Sequence, residues 1–473
     1  MNKTLSPIKA ITLIAISIAI VFGGIIFVEA ESTIVLLAAG TAVIILSLLW
    51  GVKWEDIEKD ILDNLRAMFV PILILLAVGL MIGVWMLAGT IPLIVYYGLL
   101  LIHPSVFLFV ACLACALMSV MAGTSWGTIG TIGVAFMGVS AGLDIPLHYT
   151  AGAVVVGAIF GDKLSPLSDT TVMAAAVTDV KLVDHIKHML YTTIPGFVIS
   201  LLVFLILGFQ VGGQIENEQI TSILSTLDAN FNLNPLLLLP PVVILFLIYR
   251  GKPTLPVFGV GILLGALLAA IFQGNGLAEI AAALNDGYTA STGVEVVDSM
   301  LQRGGLASML GTVALLIAAA IFGSPLQTAG VIDVILNGIQ KVVNTGKGLM
   351  LSSLSLHAFL FIITGSYYVT FAVLGPMMKS MYDKYGLHRK NFSRTLEDTG
   401  TALAPLVPWS VTGAFIAGTL GVPVVQYAPF APMLYLGIVF AIIYIMTGIG
   451  IAKADIPETP KGKKVLAKKA LQN

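Results

Sequence analysis

Five ionisable residues stand inside otherwise apolar stretches of this chain. Asp162, Lys163 and Asp169 share one polar interruption, and Glu397 and Asp398 open another. The first interruption reads Gly161-Asp162-Lys163-Leu164-Ser165-Pro166-Leu167-Ser168-Asp169-Thr170-Thr171. The second runs from Glu397-Asp398-Thr399-Gly400-Thr401 through Pro405 to Pro408-Trp409-Ser410. Two shorter breaks are Gly123-Thr124-Ser125-Trp126-Gly127-Thr128 and Thr364-Gly365-Ser366-Tyr367-Tyr368-Val369-Thr370. Carboxylates, hydroxyls and backbone carbonyls are hard oxygen ligands, suited to small hard cations rather than soft metals. Burial disfavours a charged carboxylate, whereas a nearby lysine favours it. A carboxylate held between those influences can carry a proton at one time and a cation at another, which is the minimum chemistry of exchange. A plainer reading has Asp162 and Lys163 pairing with each other and Glu397 capping a helix.

The elements around these residues must tolerate broken backbone. Proline removes a donor and clashes with the helical carbonyl before it. Unpaired backbone groups are not tolerated facing lipid, but they are tolerated around a cavity, where exposed helix ends can bind ions. A charge at the centre of a bilayer costs about 2.5–3.5 kcal/mol on insertion scales. Five such charges without a purpose would be expensive, so the breaks read as an ion site.

Composition fixes the class. The 473 residues are 58% hydrophobic and 10% charged, with a mean hydropathy of +1.00. Soluble domains carry about 25% charged residues. A soluble enzyme, a nucleic-acid binder and a disordered protein are excluded as descriptions of the whole chain. A net charge of −1 gives no basic field for nucleic acid, and two cysteines make no disulfide framework. Ile11–Val28, Ile34–Trp50, Ala67–Leu87, Met189–Leu207, Pro235–Tyr249, Thr254–Phe272, Leu306–Phe322 and Pro429–Ile451 read as crossings. The first of them, preceded by Lys3 and Lys9, looks like a signal peptide; a retained first helix is the better reading.

The positive charges give orientation. All but four of the 24 Lys and Arg residues fall at both termini or in 53–66, 181–187, 250–252 and 379–394. These segments are expected in the cytoplasm, by the positive-inside bias. Arg303, Lys341 and Lys347 fall outside them, and Lys163 lies in a break. The stretch 211–234 has Glu216, Glu218 and Asp228 but no basic residue, and is expected outside. Lys53–Arg66 reads as an amphipathic segment along the inner surface, with a counterpart near Val294–Arg303 on the outer one.

An internal repeat is also legible. Gly161-Asp162-Lys163-Leu164-Ser165-Pro166-Leu167 matches Gly400-Thr401-Ala402-Leu403-Ala404-Pro405-Leu406 at an offset of 239. Ala88-Gly89-Thr90-Ile91 matches Ala329-Gly330-Val331-Ile332 at 241, and Gly123-Thr124-Ser125 with Thr128 matches Gly365-Ser366-Tyr367 with Thr370 at 242. Basic 379–394 faces an uncharged partner near 137–148, apart from Asp144, and basic 181–187 faces an uncharged one near 420–428. The halves therefore carry opposite sidedness, as inverted-topology repeats do. The expectation is an all-α polytopic membrane protein of two inverted-topology repeats, with broken helices at the membrane midplane. The first half is 1–234 with two leading helices, the second is 235–452, and 453–473 is a basic cytoplasmic tail. Fourteen crossings follow if every run spans; Ile91–Ile102 is short for one.

Other patterns carry less. Gly123-Thr124-Ser125-Trp126-Gly127 satisfies the hydrolase G-x-S-x-G pattern but lacks its strand–turn–helix context. Cys112 and Cys115 have CxxC spacing inside an apolar helix and read as packing residues. His148, His185 and His188 fall near water interfaces without a zinc motif. Gly138–Gly142 reads as a loop, and Asp333 as a helix-end residue.

At its breaks the chain resembles the NhaC-type sodium/proton antiporter family, within the broader ion-transporter superfamily. The resemblance rests on the 161–171 motif, on 123–128, and on Glu397-Asp398-Thr399-Gly400-Thr401 followed by Pro405-Leu406-Val407-Pro408-Trp409, and it covers essentially the whole chain. It implies a multi-pass protein of the bacterial inner membrane, both termini in the cytoplasm, exchanging external protons for internal sodium. The same family includes malate–lactate antiporters coupled to sodium and protons. The expected ion- and proton-binding residues are Asp162, Asp169, Thr170 and Thr171 in the first half and Glu397, Asp398, Thr399 and Thr401 in the second. Thr124, Ser125, Thr128, Lys163, Ser165, Ser168, Ser366 and Thr370 support them. Expected partners are sodium ions, protons and the lipid bilayer, with small organic acids as the alternative cargo. A homodimer is left open, and no cofactor, catalysis or nucleic acid is expected. An ion channel is disfavoured because channels are usually symmetric oligomers around a pore.

Overall fold

The computed structural model describes residues 5–28, 30–211, 217–289, 291–331, 334 and 343–454. Glu216, Asp333, Lys341 and the tail beyond residue 454 lie outside the described residues. Among those described, the chain is built of helices, with one isolated bridge between Leu387 and Lys453. Eight helical segments are long and apolar enough to cross a membrane, or ten if two bent pairs each count as one span. The count falls below fourteen because apolar helices such as Pro7–Val21 and Thr90–Leu101 are short.

The helices of the first half are α1 (Pro7–Ile26), α2 (Ser32–Leu49), α3 (Trp54–Leu87), α4 (Thr90–Leu101) and α5 (Pro104–Ala122). After a break, α6 (Ser125–Thr128) passes through a wide turn, Ile129–Gly133, into α7 (Val134–Gly142). Then come α8 (Leu147–Leu164), α9 (Asp169–Val177), α10 (Leu182–Val211) and α11 (Asn217–Asn230). The second half holds α12 (Leu239–Tyr249), α13 (Thr254–Phe272), α14 (Leu277–Asp286), α15 (Glu295–Leu301) and α16 (Leu306–Thr328). It continues with α17 (Gly346–Thr364), α18 (Tyr367–Lys384), α19 (Lys390–Thr399), α20 (Val411–Leu420), α21 (Val424–Tyr427) and α22 (Pro432–Thr447).

Local chemistry explains where helices stop and restart. Gly123 ends α5 and Gly365 ends α17, both left-handed, at φ 67° and 64°; a residue without Cβ adopts this conformation at little cost. New helices then start on hydroxyl caps. Thr124 accepts from the Gly127 amide, Ser168 from Thr171 and Ser410 from Gly413. Each satisfies a backbone donor that a helix start leaves free.

The same turns recur 242 residues apart. Gly123 N donates to Ser119 O at 2.8 Å, and Gly365 N to Phe361 O at 2.7 Å. Ile145 N donates to Ser140 O at 3.0 Å, and Leu387 N to Tyr382 O at 2.9 Å. Asp179 and Gly421 both have positive φ, 55° and 70°. Packing is reciprocal as well: α2 lies on α16 while α14, its counterpart at that offset, lies on α3, and α10 lies against α22. Both main apolar clusters draw on chain from before and after residue 235. One joins Leu75–Ile159 to residues such as Phe258, Met309 and Phe415; the other joins Leu13–Val43 to Phe322, Leu360 and Phe392.

Helices α5 and α8 approach closely. A Cβ on Gly161 would lie 2.5 Å from Ala116 O, and one on Gly157 would strike Cys112 O. Cys112 and Cys115 are free, fully buried thiols in this contact. Small residues let helix backbones meet where lipid supplies no hydrophobic drive to associate.

Two readings change. Gly138–Gly142 is helical, forming the end of α7 rather than a loop. Lys53–Arg66 is no separate surface helix; it runs straight into α3. Asp60 accepts from Thr328 Oγ1 at 2.6 Å, and Asn64 donates to Ser324 Oγ at 3.2 Å, so the polar turns of α3 are tied to α16.

On one water-facing edge, Lys379 and Arg389 converge on Asp179, each at 2.7 Å, and Arg389 also holds Asp383. The hydrogen-bonded Lys379 ammonium holds the Asp179 carboxyl below its ordinary range, with Arg389 adding to it. Arg389 does the same for Asp383. A carboxyl depressed in the fold contributes stability above its unfolded pKa, about 3.9, and loses it as pH falls through the folded value. Arg389→Gln is expected to flatten the acid limb of stability below about pH 4, read from unfolding midpoints in detergent between neutral and acid pH. An acid limb as steep as that of the unaltered protein would remove this clamp from the account.

Candidate functional site

The break between α8 and α9 places Asp162 and Lys163 in the last turn of α8, and Asp169 in the first turn of α9. Asp162 is 5% exposed, and its Oδ2 accepts from Ser125 Oγ at 2.5 Å. Ser125 is the first residue of α6, so the short break after α5 delivers this donor. The other oxygen, Oδ1, has no hydrogen-bond partner.

Lys163 turns away from Asp162. Its Nζ reaches across 235 positions of sequence to Asp398 Oδ1, 2.9 Å away, with both side chains at most 2% exposed. The plainer reading, in which Asp162 and Lys163 pair together, therefore does not hold. Asp398 Oδ1 also accepts from Thr192 Oγ1 at 3.0 Å, while Oδ2 is unpartnered.

Glu397 sits in the third turn of α19 rather than at a cap, fully buried, and neither of its oxygens lies within hydrogen-bonding distance of a partner. It is close enough to feel the charges of Lys163, Asp162 and Asp398. Buried polar groups in folded proteins are nearly always satisfied. Asp162, Glu397 and Asp398 each have a buried oxygen without a hydrogen-bond partner.

The neighbours sort by what they touch. Asp169 interacts electrostatically with Asp162; its Oδ1 accepts from the Thr170 amide at 3.0 Å and its Oδ2 from the Tyr368 hydroxyl. Thr171 Oγ1 donates to the carbonyls of Asp162 and Lys163, each 3.3 Å away, and so closes the break. Thr170 and Ser168 share a 3.0 Å hydroxyl contact, and Ser165 Oγ accepts from Leu167 N. Thr128 and Thr370 bond carbonyls of their own first turns, at Thr124 and Ser366. Thr399 faces elsewhere, 2.7 Å from His357 Nδ1. Thr401 Oγ1 is buried and has no contact inside hydrogen-bond distance.

Three residues enter that sequence reasoning had not assigned. Tyr368 and Tyr367 stand directly after Gly365-Ser366, where the second short break could have marked them; Tyr367 lies near both Asp162 and Asp169. Thr192 is in the uninterrupted α10, where only a lone hydroxyl in an apolar run hinted at it.

A cavity of about 740 Å³ reaches this cluster. Asp162, Asp169, Thr124, Trp126, Tyr367 and Tyr368 line its wall, together with Ala67–Ile74 of α3 and the Gly251–Leu255 turn. A second cavity, about 790 Å³, lies beside Ile82 near the far end of α3 and beside Ser308–Leu315 of α16, and reaches Pro408 of the other break. The first cavity is thus lined by three of the breaks and the second touches the fourth only at Pro408, and the two lie at different heights along α3. Among the described residues no cluster of His, Cys, Asp and Glu has the arrangement of a resident metal site.

The sequence profile of the Na+/H+ antiporter family matches residues 3–176 and 157–449. The Na(+)/H(+) antiporter NhaC of Alkalihalophilus pseudofirmus is 41% identical over 412 residues, covering 87% of this chain and 89% of that protein. The malate-2H(+)/Na(+)-lactate antiporter of Bacillus subtilis is 37% identical over 442 residues, 93% of this chain and 94% of its own. The arginine/ornithine antiporter ArcD of Halobacterium salinarum is 34% identical over 415 residues, 87% and 86%. With near-complete coverage in both directions and the acidic breaks in place, the chain belongs to the Na+/H+ antiporter family.

Proposed function

We propose that this chain exchanges sodium ions for protons by alternating access, at a site built from Asp162, Asp169, Glu397 and Asp398. The family is one of transporters rather than enzymes. The observation that carries the reading is Asp162: a buried carboxylate with one oxygen on Ser125, the other free, in the wall of a cavity. Sodium and proton compete for this cluster. Asp169 and the Tyr368 hydroxyl stand beside it on the cavity wall, and the free hydroxyl of Thr401 and the carbonyls near the break are further hard ligands. Thr170, Thr171 and Thr399 act by holding the broken backbone and α19 in place.

The two halves, 1–234 and 235–452, form inverted repeats whose breaks meet at the membrane midplane. The turns that recur at 242 residues, the reciprocal packing of α2 on α16 and α14 on α3, and the opposed charge of matching loops all support this. Exchanging the conformations of the halves would close the cavity at Asp162 and open the one at Pro408. The protein would lie in a bacterial inner membrane with both termini in the cytoplasm, which puts the Lys252 turn and the 740 Å³ cavity on the inner side.

The test is flux in proteoliposomes containing a pH-sensitive dye. Sodium alone is expected to move protons against its own gradient; proton movement only after malate or lactate is added would replace this reading by organic-acid exchange. Glu397→Gln is expected to displace the pH midpoint of exchange by about one unit, because coupled carboxylates titrate as a set. An unchanged profile and unchanged sodium dependence would leave Glu397 a structural residue.

A further inference from the structure

Asp169 has both oxygens engaged. Its Oδ1 accepts from the Thr170 amide at 3.0 Å, and its Oδ2 accepts from the Tyr368 hydroxyl. The second contact joins distant parts of the chain, because Asp169 starts α9 and Tyr368 lies in the first turn of α18, 199 positions on. Asp162, on the same cavity wall, keeps one oxygen free. Tyr368 lines the 740 Å³ cavity and is 37% exposed, and its ring leans on that of Tyr367, with centroids 4.5 Å apart.

The same two helices are tied again at their other ends. Lys379 of α18 holds Asp179, just beyond α9, at 2.7 Å, away from the cavity lining. Between the two ties Val177 packs on Gly375, where a Cβ would lie 2.5 Å from the Val177 Cβ. At the 242-residue offset, Trp126 corresponds to Tyr368, and Val411, the first residue of α20, corresponds to Asp169. The corresponding helices, α6 and α20, are joined by a stack of Trp126 on Phe415, with centroids 4.2 Å apart. An apolar stack offers a cation nothing to displace. The tie at Asp169 is of another kind: a hydroxyl that donates to a carboxylate and a cation that neutralises it draw on the same charge.

Building on sodium–proton exchange at this cluster, we propose that Tyr368 sets the sodium affinity of the cavity: its hydroxyl holds Asp169 Oδ2 while the site is empty, and the arriving sodium ion takes its place. Tyr368 is a positioning residue in this scheme, and its release leaves the α9–α18 contact with its polar tie at Asp179 alone. A ligand shifts a conformational equilibrium only by its differential interaction with the two states; loss of this tie on binding supplies such a difference. Two rival roles predict otherwise. As a sodium ligand the hydroxyl would strengthen binding, and as a brace it would only hold the two helices together.

The test is sodium-driven proton flux in proteoliposomes, with choline replacing sodium to hold ionic strength. Tyr368→Phe keeps the ring and is expected to lower the apparent KM for sodium by about threefold to tenfold, because hydrogen bonds to charged groups are among the stronger ones. Lys379→Gln loosens the same helix pair away from the cavity and is expected to leave that KM in place. A raised KM in Tyr368→Phe would make the hydroxyl a ligand, and an unchanged KM would make it a brace; either overturns the proposal, as does an equal fall in Lys379→Gln. If Tyr368→Phe does not elute as a single folded species, the near-ultraviolet difference spectrum of the unaltered protein decides. Sodium, and not choline, is expected to shift tyrosine absorption as the phenol loses its carboxylate; no shift overturns the proposal. An unaltered protein that moves no protons with sodium ends the exchange reading and this inference with it, whereas normal flux with an unshifted KM ends this inference alone.

Discussion

Replacing Asp162 by asparagine is expected to abolish sodium–proton exchange while leaving folded protein in the membrane. Asparagine keeps the size of the side chain, and its carbonyl oxygen can still accept from Ser125 Oγ, the 2.5 Å contact that fixes this residue in the wall of the cavity. What it loses is the charge, and with it the unpartnered carboxylate oxygen, which are the features proposed to hold the transported species. Removing one partner of a buried charge contact costs about 3–5 kcal/mol. Since 1.4 kcal/mol is a factor of ten, exchange should fall by at least about a hundredfold. The measurement is dye-reported flux in proteoliposomes, normalised to protein that elutes as a single species. Full activity in Asp162→Asn would remove this carboxylate from the mechanism.

The second large effect is on stability. Lys163→Met should destabilise the protein by about 3–5 kcal/mol, because it strands a buried carboxylate whose other partner at Oδ1 is the Thr192 hydroxyl. Replacing both members of a buried pair by apolar groups of similar volume is often neutral. The double variant Lys163→Met with Asp398→Leu is therefore expected to recover most of the lost stability without recovering exchange. Unfolding in mixed micelles, arranged as a double-mutant cycle, gives the coupling. A double variant as unstable as Lys163→Met alone would mean that the lysine packs here rather than pairs.

Much of the site was legible because the chemistry of a broken helix is local. Gly161, Pro166 and the hydroxyls at 165–171 announce a break wherever they occur, and carboxylates in such a run announce themselves. The partner of Lys163 was not legible. Asp398 is 235 positions away, and the repeat aligns Lys163 with Ala402, so no offset joins the two. Thr192 was hidden for a different reason: α10 has no break there, and one hydroxyl in an apolar run can equally bond its own carbonyls. Residues 53–66 were misread because the polar first turns of a long helix look like a surface helix. Only their distant bonds to Ser324 and Thr328 distinguish the two. The proposed repeat rests in the sequence on three weak matches at offsets of 239 to 242, and in space on turns that recur at 242.

The packing of α2 on α16 bears on how the protein is made. Leu49 ends α2 and Leu306 begins α16, so 257 further residues must leave the ribosome before α2 meets that surface. At about 5–20 residues per second, this wait is roughly 13–51 s. During it, the small face of α2 around Ala39 and Gly40, where a Cβ on Gly40 would lie 2.8 Å from Ile321 O, has nothing of this chain to lie against. Nascent α2 is therefore expected to present this face to lipid or to insertion factors until α16 has been made. Crosslinks from Gly40 to such factors should vanish once translation passes α16.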